Sequence, residues 1–353
     1  MIARRRPPGV RNQGRSGTPT IRDVATRAGV STATVSRILA GIGTARPETR
    51  ERVRAAAREL RYRPSAIARS LKLRSTRTLG LIVTDIENPY FPELVRAIEN
   101  AARADGYAVL LGNASDDPER EAGYLDLLVE RRVDGVIIAA SGLGAHHRRW
   151  LADPPLPVVL VNTVAEGVPL PAVASDNRAG GRMAIEHLVS LGHRRIGHLT
   201  AAPRHVAAPD RLAGARDGLR AAGESPDALA IAAGDSWVAG GERAMRELLA
   251  TNPDLTAVFA YNDLMAIGAI RAIRSAGRQV PDDVSVVGFD DVDLAAYVDP
   301  PLTTIAQSTA EMGRWAFERL ARLLAAPDGD GGDEIVRLPV KLVVRASTGP
   351  APG

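Results

Sequence analysis

From Leu79 onward the chain alternates short apolar runs with longer stretches whose apolar residues recur every three or four positions. The runs predict strands over Leu79–Thr84, Tyr107–Gly112, Val133–Ala139, Pro157–Val161, Arg195–Thr200, Leu255–Tyr261 and Val284–Phe289. The stretches between them predict helices, among them 90–105, 118–131, 177–191, 208–222, 237–250 and 262–276. Strand–helix alternation of this kind implies parallel sheets covered by helices on both faces. Roughly 250 residues of it suit two doubly wound lobes better than one barrel.

Before Leu79 the pattern is different. Ile21, Val24, Ala25 and Ala28 recur at helical spacing behind Thr20 and Asp23, which form a capping-box-like start. Gly29 suits the positive φ of a helix end, and Ser31 can cap a second helix reaching about Leu39. A third follows Pro47, with Val53, Ala56, Ala57 and Leu60 on one face. The result is a small all-α head with a helix-turn-helix over Thr20–Leu39. The outer face of its second helix would offer Thr32, Ala33, Thr34, Ser36 and Arg37 to a DNA major groove. An ordinary helical hairpin would share this spacing.

Charge separates the two readings. Residues 1–78 hold 19 Arg and Lys against four acids, a net of +15, while the remaining 275 residues hold 26 basic and 37 acidic side chains, a net of −11. A basic head on an acidic body marks a polyanion-binding module joined to a part that need not bind polyanions. With no cysteine among 353 residues there are no disulfides or thiolate ligands. No apolar run approaches membrane-spanning length, and the basic start, Met1–Pro8, lacks the apolar core of a secretion signal. A cytoplasmic protein, nucleoid-associated when on DNA, is expected.

The body carries a ligand-binding rather than a catalytic pattern. Ligands of parallel α/β lobes sit beyond the carboxyl ends of the strands. The residues there include Asp85, Tyr90, Phe91, Ser141, Asn162, Asp176, Arg204, Arg211, Trp237, Asn262 and Asp290. Aromatic faces with carboxylates and amides suit a small polyhydroxylated or planar heterocyclic ligand. Asp176 fits a helix cap better than a ligand contact, and Asp263 fits a first-turn acid. The six histidines show no metal-ligand spacing, and no nucleophile elbow, phosphate loop or dinucleotide fingerprint is present. Neither a metal, a cofactor nor an enzymatic activity is expected. The acidic Asp328–Glu334 segment has the wrong spacing for a calcium loop.

In order along residues 19–346, the chain resembles the LacI-type (lactose and purine repressor) family of bacterial transcription regulators. The motifs that carry this are Ile21-Arg22-Asp23-Val24-Ala25, Gly29-Val30-Ser31, Ala33-Thr34-Val35-Ser36-Arg37 and Tyr62-Arg63-Pro64. Ala66–Leu71, Asn88-Pro89-Tyr90-Phe91, Arg132–Gly135, Gly192-His193-Arg194 and Arg211–Gly214 continue it. Asn262-Asp263, Gly288-Phe289-Asp290-Asp291 and Pro301–Ile305 complete it. Residues 1–18, rich in Arg, Pro and Gly without an apolar period, read as a disordered arm. The resemblance implies a DNA-binding domain over 19–63 and a hinge helix and linker over 64–78. It further implies a periplasmic-binding-protein-like effector and dimerisation body over 79–346; the remaining residues, 347–353, are expected to be a disordered tail.

Thr20, Ser31, Ala66, Arg69, Leu71 and Lys72 would meet the DNA backbone or, at the hinge, the minor groove, where Leu71 matches the family's wedge leucine. Tyr90, Phe91, Arg211, Asn262 and Asp290 match effector-contacting positions. Asp85 and Asn162 join them from the strand-end reading, Arg204 or His205 lies in a loosely matching loop, and Trp237 is one position off the usual aromatic. Arg46 stands where a helix-capping serine is usual. The expected protein is a dimeric repressor of a pseudo-palindromic operator, controlled by a small effector, a sugar before a purine. The competing class is a solute-binding or sensor body whose head only anchors it to DNA.

Overall fold

The computed structural model describes residues 19–41, 44–62, 75–140, 142, 145–163, 170–202, 205–326 and 334–353. They divide into two units, Met1–Thr76 and Arg77–Gly353.

The first unit holds α1 (Ile21–Ala28), α2 (Thr32–Leu39) and α3 (Pro47–Glu59). Thr20 donates its N–H and its hydroxyl to Asp23 Oδ2 at 2.8 and 2.7 Å, closing the first turn of α1. Gly29 ends α1 at φ +63°, a conformation in which any Cβ is costly. Ser31 Oγ then accepts from Thr34 N and starts α2. Arg46 makes no side-chain cap for α3, so that helix starts at Pro47 without the bond a serine would supply. Val24, Ala25, Ala28, Val35, Ile38, Val53, Ala56 and Ala57 form the core. It consists mostly of valine and alanine, and so buries little apolar area.

The second unit has two lobes, each built on a six-stranded sheet. Lobe 1 contains β1 (Thr78–Val83), β2 (Ala108–Asn113), β3 (Gly135–Ala139), β4 (Val158–Val161), β5 (Ala172–Ser175) and β11 (Ile335–Leu338), in the order β11-β5-β4-β3-β1-β2. Lobe 2 contains β6 (Ile196–Thr200), β7 (Ala230–Ala233), β8 (Ala257–Ala260), β9 (Ser285–Asp290), β10 (Thr303–Ala306) and β12 (Lys341–Val343), in the order β12-β10-β9-β8-β6-β7. All pairings are parallel except β10 with β12. The lobes thus repeat one strand order, differing only in the direction of the last strand, and the doubly wound expectation holds.

Helices α4 (Tyr90–Ala104), α5 (Pro118–Glu130), α6 (Ala145–Ala152) and α11 (Thr309–Ala325) belong to lobe 1. Helices α7 (Asn177–Ser190), α8 (Ala208–Ala221), α9 (Val238–Thr251) and α10 (Asp263–Ser275) belong to lobe 2. Sequence order is broken three times, because the chain crosses between lobes after Ser175, after Ala306 and after Leu338. Lobe 1 therefore takes its last helix and strand from beyond lobe 2. Met312, Ala316, Phe317 and Leu320 of α11 share one core with Leu79, Leu94 and Ile98.

Helices α7 and α8 lie unusually close. A Cβ on Gly181 would meet the Arg211 carbonyl, and one on Gly214 would meet the Arg178 carbonyl. Glycine is required at both positions because backbone touches backbone there.

One expectation needs correction. Residues 347–353 are placed against lobe 2 rather than trailing as a disordered tail. Ser347 is fully buried, its Oγ accepts from Thr303 N and donates to Val286 O, and Ala351 N donates to Leu191 O. Buried His193 holds the same segment, with Nε2 3.1 Å from Gly349 O.

Candidate functional site

In the head, Thr32, Ala33 and Ser31 are exposed, Thr34 and Ser36 are half-buried, and Arg37 is exposed in the last turn of α2. The helix turns Val35 and Ile38 inward, so this polar face is what remains for a partner. Thr20 and Ser31 are both occupied as helix caps. Ala66, Arg69, Leu71 and Lys72 lie outside the described residues, as do Ser141, Arg204 and nearly all of the Asp328–Glu334 segment.

Between the lobes a cleft encloses about 680 Å³, including its open mouth. Lobe 1 supplies Asp85, Tyr90, Phe91, Asn162 and, unforeseen, Thr84, Asn88 and Asp116. Lobe 2 supplies Arg211, Trp237, Asn262 and Asp290, together with His205, Ser236 and Tyr261. Every described residue expected to touch effector therefore lines one cavity, and Trp237 lines it too despite its one-residue offset. Asp176 does not; its carboxylate accepts from Ala179 N and caps α7.

Arg211 is the most constrained side chain in the cleft. Its Nε donates to Asn177 Oδ1 at 2.9 Å, one terminal nitrogen donates to Tyr261 O, and the other stands 3.4 Å from Asp290 Oδ1. The guanidinium carbon sits 3.5 Å from the Phe289 ring centre and 4.6 Å from that of Tyr261. Stacking on two rings fixes the plane of the fork.

Asp290 ends β9 at φ +114° and Asp291 follows at +58°. Such angles are sparsely populated by non-glycine residues and aim the Asp290 carboxylate back into the cleft. Burial pushes its pKa up to about 6, opposed by the Arg211 charge and by a hydrogen bond from Gln307. Burial also raises the Tyr90 hydroxyl, followed by the negative charge of Asp290.

Asn262 combines two roles: its Oδ1 accepts from Met265 N as the cap of α10, and its Nδ2 donates to Ser236 O. Asp263 is not a simple first-turn acid. It is buried and accepts from Val292 N at 2.9 Å and Thr304 Oγ1 at 2.5 Å, so it ties α10 to the segment after β9 and to β10. Burial, then the Asp290 charge, raises it well above the usual carboxylate range.

Across the mouth, His205 Nε2 of lobe 2 stands 3.9 Å from Asp116 Oδ2 of lobe 1. Among the described residues no group of three His, Cys, Asp or Glu could hold a metal ion, and no helix is long and apolar enough to cross a membrane.

Comparison with known proteins accounts for both parts. A model for "Bacterial regulatory proteins, lacI family" matches residues 20–65, and one for a "Periplasmic binding protein-like domain" matches 185–348. The transcriptional repressor CytR of Escherichia coli (strain K12) is 37% identical over 333 residues, covering 93% of this chain and 96% of CytR. The chain belongs to the lacI family. The ribose operon repressor of Halalkalibacterium halodurans is another relative, 38% identical over 93% of this chain and 97% of its own length. The solved structure of the Lac repressor dimer bound to operator and the anti-inducer ONPF is 30% identical, with a TM-score of 0.82, over 94% of this chain and all of the other. A CelR–cellobiose complex is 33% identical, with a TM-score of 0.71, over 93% and 99%. This lacI-family chain is thus a transcriptional regulator and not an enzyme, with the head and the two-lobed body of its relatives.

Proposed function

We propose that the protein is a dimeric repressor that binds a pseudo-palindromic operator and responds to an uncharged, polyhydroxylated ring, a sugar rather than a purine, held between its lobes. The observation that carries the effector reading is the Arg211–Asp290 pair at the cleft floor. Among the described residues, Arg211 uses three N–H groups on Asn177, Tyr261 and Asp290. A guanidinium has five, so each terminal nitrogen keeps one for a ligand oxygen. A fixed donor fork beside a carboxylate acceptor suits adjacent hydroxyls, and Tyr90, Phe91, Trp237 and Tyr261 offer ring faces. Asp85 and Asp116 on the lobe 1 side disfavour a phosphorylated ligand.

On DNA, α2 would enter the major groove with Thr32, Ala33, Thr34, Ser36 and Arg37, while Thr20 and Ser31 approach the backbone. Residues 64–78 would supply the hinge, with Ala66, Arg69 and Lys72 beside the minor groove and Leu71 wedged into it. Two protomers would join through the body. Leu110 and Leu111 on edge strand β2 and Ile231 on edge strand β7 are more than two-fifths exposed, and Tyr297 is 85% exposed. A DNA-bound regulator of this kind would work in the cytoplasm at the nucleoid.

Selection from random duplexes at several salt concentrations tests the first part. Enrichment of an inverted repeat supports operator recognition, whereas salt-sensitive binding without an enriched repeat reduces the head to an electrostatic anchor. Titration calorimetry with free sugars and with purine bases tests the second.

A further inference from the structure

We propose that Gln307 is a positioning residue that sets the angle between the lobes and passes a change at the cleft floor to the crossovers that join them. The inference rests on the regulator reading, in which the lobe angle carries the effector signal.

Gln307 follows β10 on the second crossover and does not line the cleft. Its Oε1 accepts from Ser175 Oγ at 2.6 Å and from Asn162 Nδ2 at 3.2 Å. Its Nε2 donates to Asp290 Oδ1 at 2.7 Å. One amide therefore joins two residues of lobe 1 to one of lobe 2. Ser175 is fully buried at the start of the first crossover, so the same amide ties two of the three crossing strands together.

The orientation is determined by its neighbours. Turned over, the amide would set its oxygen against the Asp290 carboxylate, acceptor against acceptor. Asn162 is oriented as well: its Oδ1 accepts from Ser175 N at 3.1 Å, which aims its Nδ2 at Gln307 and at the Tyr90 hydroxyl. The bonds form one relay, Tyr90–Asn162–Gln307–Asp290–Arg211, whose members other than Gln307 all line the cleft. Bonds in such a chain polarise one another. A ligand that takes up Asp290 or Asn162 from the cleft side weakens or strengthens their bonds to Gln307 behind them. Since Gln307 sits on a crossover between the lobes, that change alters the angle between them.

The test needs no identified effector. The chain has no cysteine, so Ala104→Cys on α4 of lobe 1 and Ala221→Cys on α8 of lobe 2, both exposed, give two unique sites for spin labels. Pulsed electron paramagnetic resonance then reads the lobe-to-lobe distance distribution in the full-length protein. At about pH 8 both Gln307→Leu and Gln307→Glu should be displaced from wild type, the latter because its carboxylate faces Asp290. At about pH 5 the carboxyl introduced by Gln307→Glu and the facing Asp290 carboxyl hold at least one proton between them, which restores a donor to that contact, so Gln307→Glu should coincide with wild type while Gln307→Leu does not. A residue that merely filled space would give no such recovery. Asp290→Ala should shift the distribution in the wild-type background and add nothing in Gln307→Leu.

The proposal is overturned if Gln307→Leu matches wild type, if Gln307→Glu shows no recovery at the lower pH, or if Asp290→Ala acts equally in both backgrounds. Should Gln307→Leu fail to fold, the pH comparison of Gln307→Glu decides. Absence of operator binding would instead overturn the regulator reading and leave these distances as they are.

Discussion

Arg211 and Asp290 meet at the cleft floor as a buried ion pair whose closest atoms are 3.4 Å apart, a longer contact than the 2.9 Å bond from Arg211 to Asn177. Arg211 is thus held mainly by amide, carbonyl and two aromatic rings. The carboxylate is the partner with freedom to exchange an arginine contact for a ligand contact.

Removing that carboxylate should separate the two functions. Asp290→Ala is expected still to bind operator, at an affinity set by its displaced lobe angle, and to lose the effector response, with ligand affinity falling by about 2 kcal/mol or more, as for a charged hydrogen-bond acceptor. Operator titrations with and without the sugar that binds wild type check this. An unchanged response would exclude Asp290 from the effector contacts.

Two buried groups should oppose one another in mild acid. Burial lowers His198 to about 4 from 6.5, so its neutral form supports the fold. That support is complete above pH 6.5 and is lost as pH falls towards 4. Asp290, raised to about 6 from 3.8, contributes with the opposite slope, and its contribution is lost as pH rises from about 3.8 to 6. Each amounts to about 3 kcal/mol at most. Between pH 6.5 and 4, His198→Leu should lose less stability than wild type and Asp290→Asn should lose more. Melting temperatures across that range read both slopes.

Gly214→Ala should damage the cleft from a distance. Its methyl would meet the Arg178 carbonyl and push α8 from α7, and α8 carries Arg211. We expect a loss of 1–3 kcal/mol, of the order known for overpacking, together with weaker effector binding. Thermal melts and titration calorimetry on the same sample would show whether both occur.

The head should melt on its own terms. Val35 is fully buried in a core of small side chains, so Val35→Ala should cost about 2 kcal/mol there. Arg27 grips Glu59 through Nε and one terminal nitrogen at 3.0 and 2.7 Å, yet both side chains are more than half exposed. Glu59→Ala should therefore cost much less than Val35→Ala. Hydrogen exchange over α1–α3 distinguishes the two variants.

If Leu71 is the wedge proposed above, Leu71→Ala should weaken specific operator binding much more than nonspecific binding. A wedge acts by bending one particular central step, and nonspecific complexes rely on phosphate contacts. Equal losses on operator and random duplex would remove Leu71 from that role.

Much of this was legible in the chain because the signals are local. Branched apolar runs such as Val284–Phe289 mark their strands to within a residue, observed as Ser285–Asp290. Strands β5 and β7, reading AVAS and AIAA, escape notice because alanine and serine carry little strand signal. Asp290 and Arg211 could be selected by type and position at strand and helix ends. Gln307 could not: its partners lie 17, 132 and 145 residues away, and a glutamine two residues before a helix has no local signature. The ordering of residues 347–353 was hidden for the same reason, since Ser347 finds Thr303 and Val286 only in three dimensions.

The three crossings also set a timetable for biosynthesis. Lobe 1 opens with β1 at Thr78, but α11 and β11, which complete its core, end at Ala325 and Leu338. While the intervening residues are being translated, the apolar faces of Leu79, Leu94 and Ile98 lack Phe317 and Leu320. Every strand of lobe 2 except β12 has by contrast been made by Ala306. The lobe begun first therefore keeps an open hydrophobic surface until α11 and β11 have been made, well after most strands of lobe 2.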